Sequence, residues 1–214
     1  MSEQRAANSR QQTADGRRQT ADGEYTYPSE CKVQSSSSTN TLQDQRPKTE
    51  DQISMIIGIV AVDRQGAIGK GGKLPRHYSA DMKFFKETTI GNACVMGYKT
   101  WLTLKRPLPN RLNIVLSRSA EIEPQESVVV LRDVESVLQK ADQLTSDLFV
   151  IGGAQVYRAF LPHIDKWIVT AVPLTVEGAD TFIPENYLEG FSLAETKDLA
   201  EGLTVSSYIR SAAA

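Results

Sequence analysis

Cysteine and histidine are scarce in this chain, whose 214 residues include two of each. His77 and His163 lie far apart with no cysteine beside them, so metal-ligand spacing is absent and no structural metal is expected. Cys31 stands in a polar stretch and Cys94 inside the apolar run ACVM, an arrangement that suits a buried free thiol rather than a disulfide or a catalytic nucleophile. Neither sign of charge predominates. Lys+Arg 24 against Asp+Glu 26 leaves a net charge of -2, which offers no global field for nucleic acid or anionic lipid. No apolar run approaches the ~18 residues of a membrane span, and Met1 to Arg10 lacks the apolar core of a secretory leader. A GxGxxG run is missing too, which disfavours the standard dinucleotide-binding dehydrogenase. A cytoplasmic protein with small local partners is expected, binding neither nucleic acid nor membrane.

Large apolar residues are also scarce in the first 53 positions, where Gln, Ser, Thr, Asp and Arg dominate. A seven-residue near-repeat, RQQTADG at 10–16 and RRQTADG at 17–23, carries nothing apolar to form a coiled-coil seam. The expectation for 1–53 is a disordered polar extension. Its many acidic residues argue against a transit peptide. Met55 opens the first apolar run, MIIGIVAV, and is the expected native start of translation.

From there to about residue 212 the pattern is that of one α/β domain. Runs rich in β-branched residues (MIIGIVAV, NACVMG, RLNIVLS, ESVVVL, DLFVIGG, KWIVTAV) are continuous rather than alternating, as strands buried on both faces are. Helical segments separate them: SADMKFFKETT, a short piece after Gly97, DVESVLQKADQ and GAQVYRAFLPH. Such alternation predicts a largely parallel sheet flanked by helices. Weaker strand signals near Phe191 and in LTVSSYI suggest an antiparallel pair at one edge.

Within this domain, Asp81 draws notice because a helix would set it on one face with Phe84 and Phe85. A carboxylate in apolar company needs a hydrogen-bonding or cationic partner, such as an amidine-like ligand, unless it is a surface acid at a helix start. Gly152-Gly153, between a strand and a helix, allows a phosphate to approach backbone amides or simply makes a tight turn. Gly97, Tyr98, Lys99 and Thr100 form a second turn of this kind, and the two could cradle one nucleotide. A P-loop is excluded, because Tyr98 rather than lysine follows the second glycine of GNACVMGYKT. Ser117, Arg118 and Arg132, at adjacent strand ends, favour a 2′-phosphate and hence NADPH over NADH. In RPLPNR, Pro107 and Pro109 stiffen the approach to Arg111, whose guanidinium suits a carboxylate, either of a ligand or of a structural acid.

Taken together, IVAVD, the IG-Gly/Lys-LP loop, an acid followed by Phe85, VMG and TW around Gly97, RPLPNR, NIVLSR, VIGGAQVY and EGADTFIP resemble dihydrofolate reductase from Met55 to about Arg210. The resemblance implies an eight-stranded, mixed but mostly parallel sheet with four main helices. It implies hydride transfer from NADPH to C6 of 7,8-dihydrofolate, with protonation at N5, by a monomer. In that scheme Asp81 and Thr170 are catalytic. Ile59, Ala61, Leu74, Phe85 and Arg111 complete the substrate site, Arg111 gripping the glutamate α-carboxylate. Ala61, Ile68, Gly97, Lys99, Thr100, Leu116, Ser117, Arg118, Arg132, Ile151, Gly152, Gly153, Ala154, Gln155, Val156 and Tyr157 bind NADPH. The loop from Ala67 to Arg76 is the implied lid. Arg76 stands where the family has tryptophan, and Tyr98 where a cation is common. Arg76 keeps open a catalytically weak NADPH- or folate-binding paralogue, and the shared fold a reductase of the riboflavin-pathway type.

Overall fold

The computed structural model describes residues 18–19, 25–26, 54–71 and 78–211. The chain divides into two units, Met1–Arg46 and Pro47–Ala214. In the first, β1 (Arg18–Gln19) pairs antiparallel with β2 (Tyr25–Thr26). The remainder of the expected disordered extension lies outside the described residues, as do Leu74 and Arg76 of the lid.

The second unit runs through β3 (Ile56–Val62), β4 (Ala67–Gly69), α1 (Ser79–Thr89), β5 (Ala93–Gly97) and α2 (Tyr98–Thr103). It continues with β6 (Leu112–Leu116), β7 (Val128–Leu131), α3 (Val134–Asp142), β8 (Leu148–Val150) and α4 (Ala154–Phe160). β9 (Lys166–Ala171), β10 (Thr181–Phe182), β11 (Phe191–Asp198) and β12 (Thr204–Arg210) complete it. Eight of these strands form one sheet in the order β11-β12-β9-β3-β8-β5-β6-β7. Every pairing is parallel except β12 with β9 and with β11, so the antiparallel edge and the mixed, mostly parallel sheet are as the sequence predicted.

Alternate residues of β3 explain its continuous apolar run, since both faces of the sheet are covered. Ile57 and Ile59 join Cys94, Met96, Phe149 and Ile168 beneath Phe84 and Phe85 of α1 and Trp101 of α2. Val60 and Val62 face the other way, onto Val137 of α3, Phe160 of α4 and Trp167. Cys94 is buried and unpaired, and burial pushes its thiol up to about 12. It is the inert core thiol expected.

Where β3 ends, Asp63 organises the turn into β4. Its Oδ1 accepts from the amides of Gln65 and Ala67, both at 2.8 Å, and its Oδ2 from that of Val176 at 2.8 Å. Burial raises this carboxyl, but the three amide donors outweigh it, so it ionises below the ordinary range. An acid depressed on folding contributes stability above its unfolded pKa of about 3.9 and loses it as pH falls through the folded value. Asp63→Ala is therefore expected to lower Tm by about 5 °C at neutral pH. Melting curves should show this gap closing in strongly acidic buffer. A gap that persists unchanged there would assign the loss to packing instead.

Candidate active site

Helix α1 sets the dimensions of the site. Asp81, Phe85 and Thr89 recur at intervals of four, so they follow one another along one side of the helix over about 12 Å. At the N-terminal end Asp81 is half-buried beside the hydroxyl of Thr170, which β9 supplies from its register position beside Ala61 of β3. Burial raises the Asp81 carboxyl above its ordinary pKa, and the Thr170 hydroxyl opposes that rise. Tyr157 approaches from the opposite side of the sheet. Its buried hydroxyl donates to the carbonyl of Ile59 at 2.7 Å, and its ring is close enough to Asp81 for the two to repel as anions.

Arg111 occupies the other end and is itself only 6% exposed. Its Nη1 donates to Thr89 Oγ1 at 3.0 Å, its Nε to the carbonyl of Pro109 at 3.1 Å, and its Cζ lies 6.0 Å from the centroid of Phe85. Among the described residues no carboxylate pairs with it. A buried guanidinium held by neutral groups alone retains N–H donors for an incoming anion, and its desolvation lowers its pKa. The loop behind it is held by Asn113, fully buried, whose amide bonds Leu108 through both N–H and C=O and also donates to the carbonyl of Arg111 at 3.0 Å.

A second cradle lies where β5 and β8 give way to α2 and α4. Gly97 N donates to Gly152 O at 2.8 Å, joining the two turns that the sequence marked separately. Neither helix carries a side-chain cap at its N-terminus. Gly152 has φ +103, and a Cβ there would stand 2.9 Å from the Tyr157 ring. A Cβ on Gly97 would meet Val156 at 3.1 Å, and one on Gly153 would meet Thr100 Oγ1 at 3.5 Å. The glycines thus let the two turns pack closely against side chains of α2 and α4, and the uncapped amides at the helix starts are the groups that suit a pyrophosphate. Ile151, Ala154 and Gln155 belong to the same turn and first helical positions, and Ile68 of β4 is half-buried.

At the end of β6, next to half-buried Leu116, Ser117 Oγ accepts from Ala120 N at 3.1 Å. Arg132 donates through Nη1 to the carbonyls of Ser117 and Ala120, at 3.1 and 2.8 Å. Arg132 therefore also folds the segment that presents Ser117 and Arg118, a part its position in the sequence did not suggest. Arg118 and Lys99 are exposed. A cavity of about 290 Å³ contains none of these residues. It lies at the start of β3 and β8, bordered by Ser54, Met55, Asp165 and Arg210.

A sequence model described as Dihydrofolate reductase matches residues 55–208, which is more than half of the chain. The chain belongs to the dihydrofolate reductase family. It is 39% identical over 133 residues to the dihydrofolate reductase of Bacillus subtilis (strain 168), covering 61% of this chain and 76% of that one. It is 35% identical over 127 residues to that of Haemophilus influenzae, covering 59% and 77%. Among solved structures, a dihydrofolate reductase from Enterococcus faecalis complexed with NADP(H) and RAB-propyl aligns with a TM-score of 0.67 and 37% identity, over 73% of this chain and 96% of that one. Within this dihydrofolate reductase domain, Thr89, Asn113 and Asp63 are the residues that sequence reasoning passed over. Only Asp63 left a signal, since an Asp two and four residues before the amides it binds, in VDRQGA, is an Asx-type turn.

Proposed function

We propose that residues 54–212 form an NADPH-dependent dihydrofolate reductase, converting 7,8-dihydrofolate to 5,6,7,8-tetrahydrofolate for one-carbon and thymidylate metabolism. The observation that carries this reading is the placement of a carboxylate, Asp81, and a buried guanidinium, Arg111 held by Thr89, at opposite ends of one face of α1, with the Phe85 ring between them. A ligand that fits must be an elongated molecule, cationic or amidine-like at one end and anionic at the other. Dihydrofolate has this form. Asp81 accepts from the pterin 2-amino group and N3, and Thr170 keeps the carboxylate oriented towards them. Its negative charge beside the ring favours the protonated substrate, so N5 gains its proton more readily. Ile59, Ala61 and Phe85 wall the ring, and Arg111 takes the glutamate α-carboxylate.

NADPH bound at the Gly97/Gly152 cradle supplies the hydride for C6. The uncapped helix starts and the segment carrying Ser117 and Arg118 suit its pyrophosphate and 2′-phosphate. A riboflavin-pathway reductase is not favoured, because it lacks the acid paired here with Thr170. Among the described residues no helix is long and apolar enough to cross a membrane. We take the chain to act as a monomer in the cytoplasm, with one cysteine unpaired and buried as that compartment allows.

The direct test is an assay of NADPH loss on addition of dihydrofolate, with calorimetric titration of each ligand. We expect NADPH consumption that depends on dihydrofolate and is much slower with NADH. Failure of both ligands to bind would overturn the reading.

A further inference from the structure

Thr89 is fully buried on the last turn of α1, and its hydroxyl is crowded with partners. The hydroxyl donates to the carbonyl of Phe85 at 2.7 Å, the back-bond that threonine often makes within a helix. That bond uses the only hydroxyl proton, so the lone pairs must face outward. They receive Arg111 Nη1 at 3.0 Å, and the Cys94 thiol lies beside the same oxygen. With its ionisation pushed up to about 12, Cys94 is neutral at physiological pH and gives the guanidinium no counter-charge. The side chain of Arg111 is thus oriented by two neutral oxygens, Thr89 Oγ1 and Pro109 O. Pro109 O belongs to the loop of Arg111 itself. Phe85 packs against the guanidinium from the same helix, but among the described residues Thr89 makes the one hydrogen bond that ties it to the helix that carries Asp81.

We propose that Thr89 is a positioning residue for substrate specificity, its hydroxyl holding Arg111 at the distance from Asp81 that a substrate bearing a terminal carboxylate spans. This rests on the reading of Arg111 as the carboxylate grip. A merely structural Thr89 would affect all substrates through loss of fold, whereas a positioning Thr89 affects only those that reach Arg111.

Steady-state kinetics with two substrates separate these roles: dihydrofolate, and 6-methyl-7,8-dihydropterin, which has the ring but no glutamate. Thr89→Val removes the acceptor at nearly constant volume. Its KM for dihydrofolate is expected to rise about tenfold with kcat within about twofold, while kcat/KM for the methylpterin stays within about twofold of wild type. Thr89→Ser, which restores the hydroxyl, should recover most of the affinity for dihydrofolate. Thr89→Ala is read in the same way if the valine variant does not fold. Equal losses on both substrates, no loss on either, or a serine variant as poor as valine would each overturn the proposal. A wild type that binds and turns over neither pteridine overturns the functional reading together with this inference. A wild type active on both whose preference ignores Thr89 overturns the inference alone.

Discussion

Asp81→Asn is expected to reduce the turnover of dihydrofolate about a hundredfold to ten-thousandfold while leaving the fold intact. Asparagine keeps the size and one acceptor of the aspartate, so the contact with Thr170 can survive. What disappears is the negative charge facing the pterin. The same substitution should not destabilise the ligand-free protein. Burial raises the Asp81 carboxyl, so the folded state holds its proton more tightly than the unfolded chain does. In this direction the linkage works against folding: as pH climbs from the unfolded pKa to the raised folded one, ionisation costs stability, and above that value the full penalty remains. Asp81→Asn escapes that penalty, and its Tm at neutral pH should equal or exceed that of wild type. Activity assays paired with melting curves check both halves. Retention of a third of wild-type turnover would remove Asp81 from the reaction.

The largest effect on stability is expected at Gly58, which is opposite Trp167 in the β3–β9 register. A Cβ at this position would lie 2.4 Å from Cε3 and Cζ3 of the indole. The ring has no room to retreat, being fully buried between Tyr157 and Tyr187, with centroids 5.6 and 5.2 Å away. Gly58→Ala should cost about 3 kcal/mol, or roughly 6–12 °C in Tm. Trp167→Phe removes the clashing half of the indole. It breaks no hydrogen bond, because Trp167 Nε1 has no partner among the described residues. In a double-mutant cycle the alanine should therefore cost much less on the phenylalanine background. Additive losses would place the strain elsewhere.

The sheet's interior was legible in the sequence because both faces of its strands are covered, leaving continuous β-branched runs such as MIIGIVAV and KWIVTAV. The edge was faint for the opposite reason. β11 (FSLAETKD) is exposed at every position after Phe191, so no apolar pattern marks it, and its conformation follows from pairing with β12. β4 and β10, three and two residues long, carry too few positions for any period to register. The site divides in the same way. Asp81, Arg111 and the paired glycines stand in motifs with distinctive residues, and the resemblance assigned them parts. The supports around them act through backbone atoms or across long separations: Asp63 reaches Val176, and Thr89 reaches Arg111. Single-sequence patterns do not encode such pairings, because any residue can supply a backbone amide or carbonyl.

Ser54 and Met55 border the same cavity as Arg210, so the two ends of the folded unit come together there. From that point β3 travels seven residues, about 20 Å, before reaching the neighbourhood of Asp81. The topology is therefore expected to tolerate circular permutation: a short peptide could join residue 211 to residue 54, with new termini opened in the exposed stretch 123–126. Tags or tethered proteins attached at the natural seam would sit at the opposite end of β3 from the one that nears Asp81.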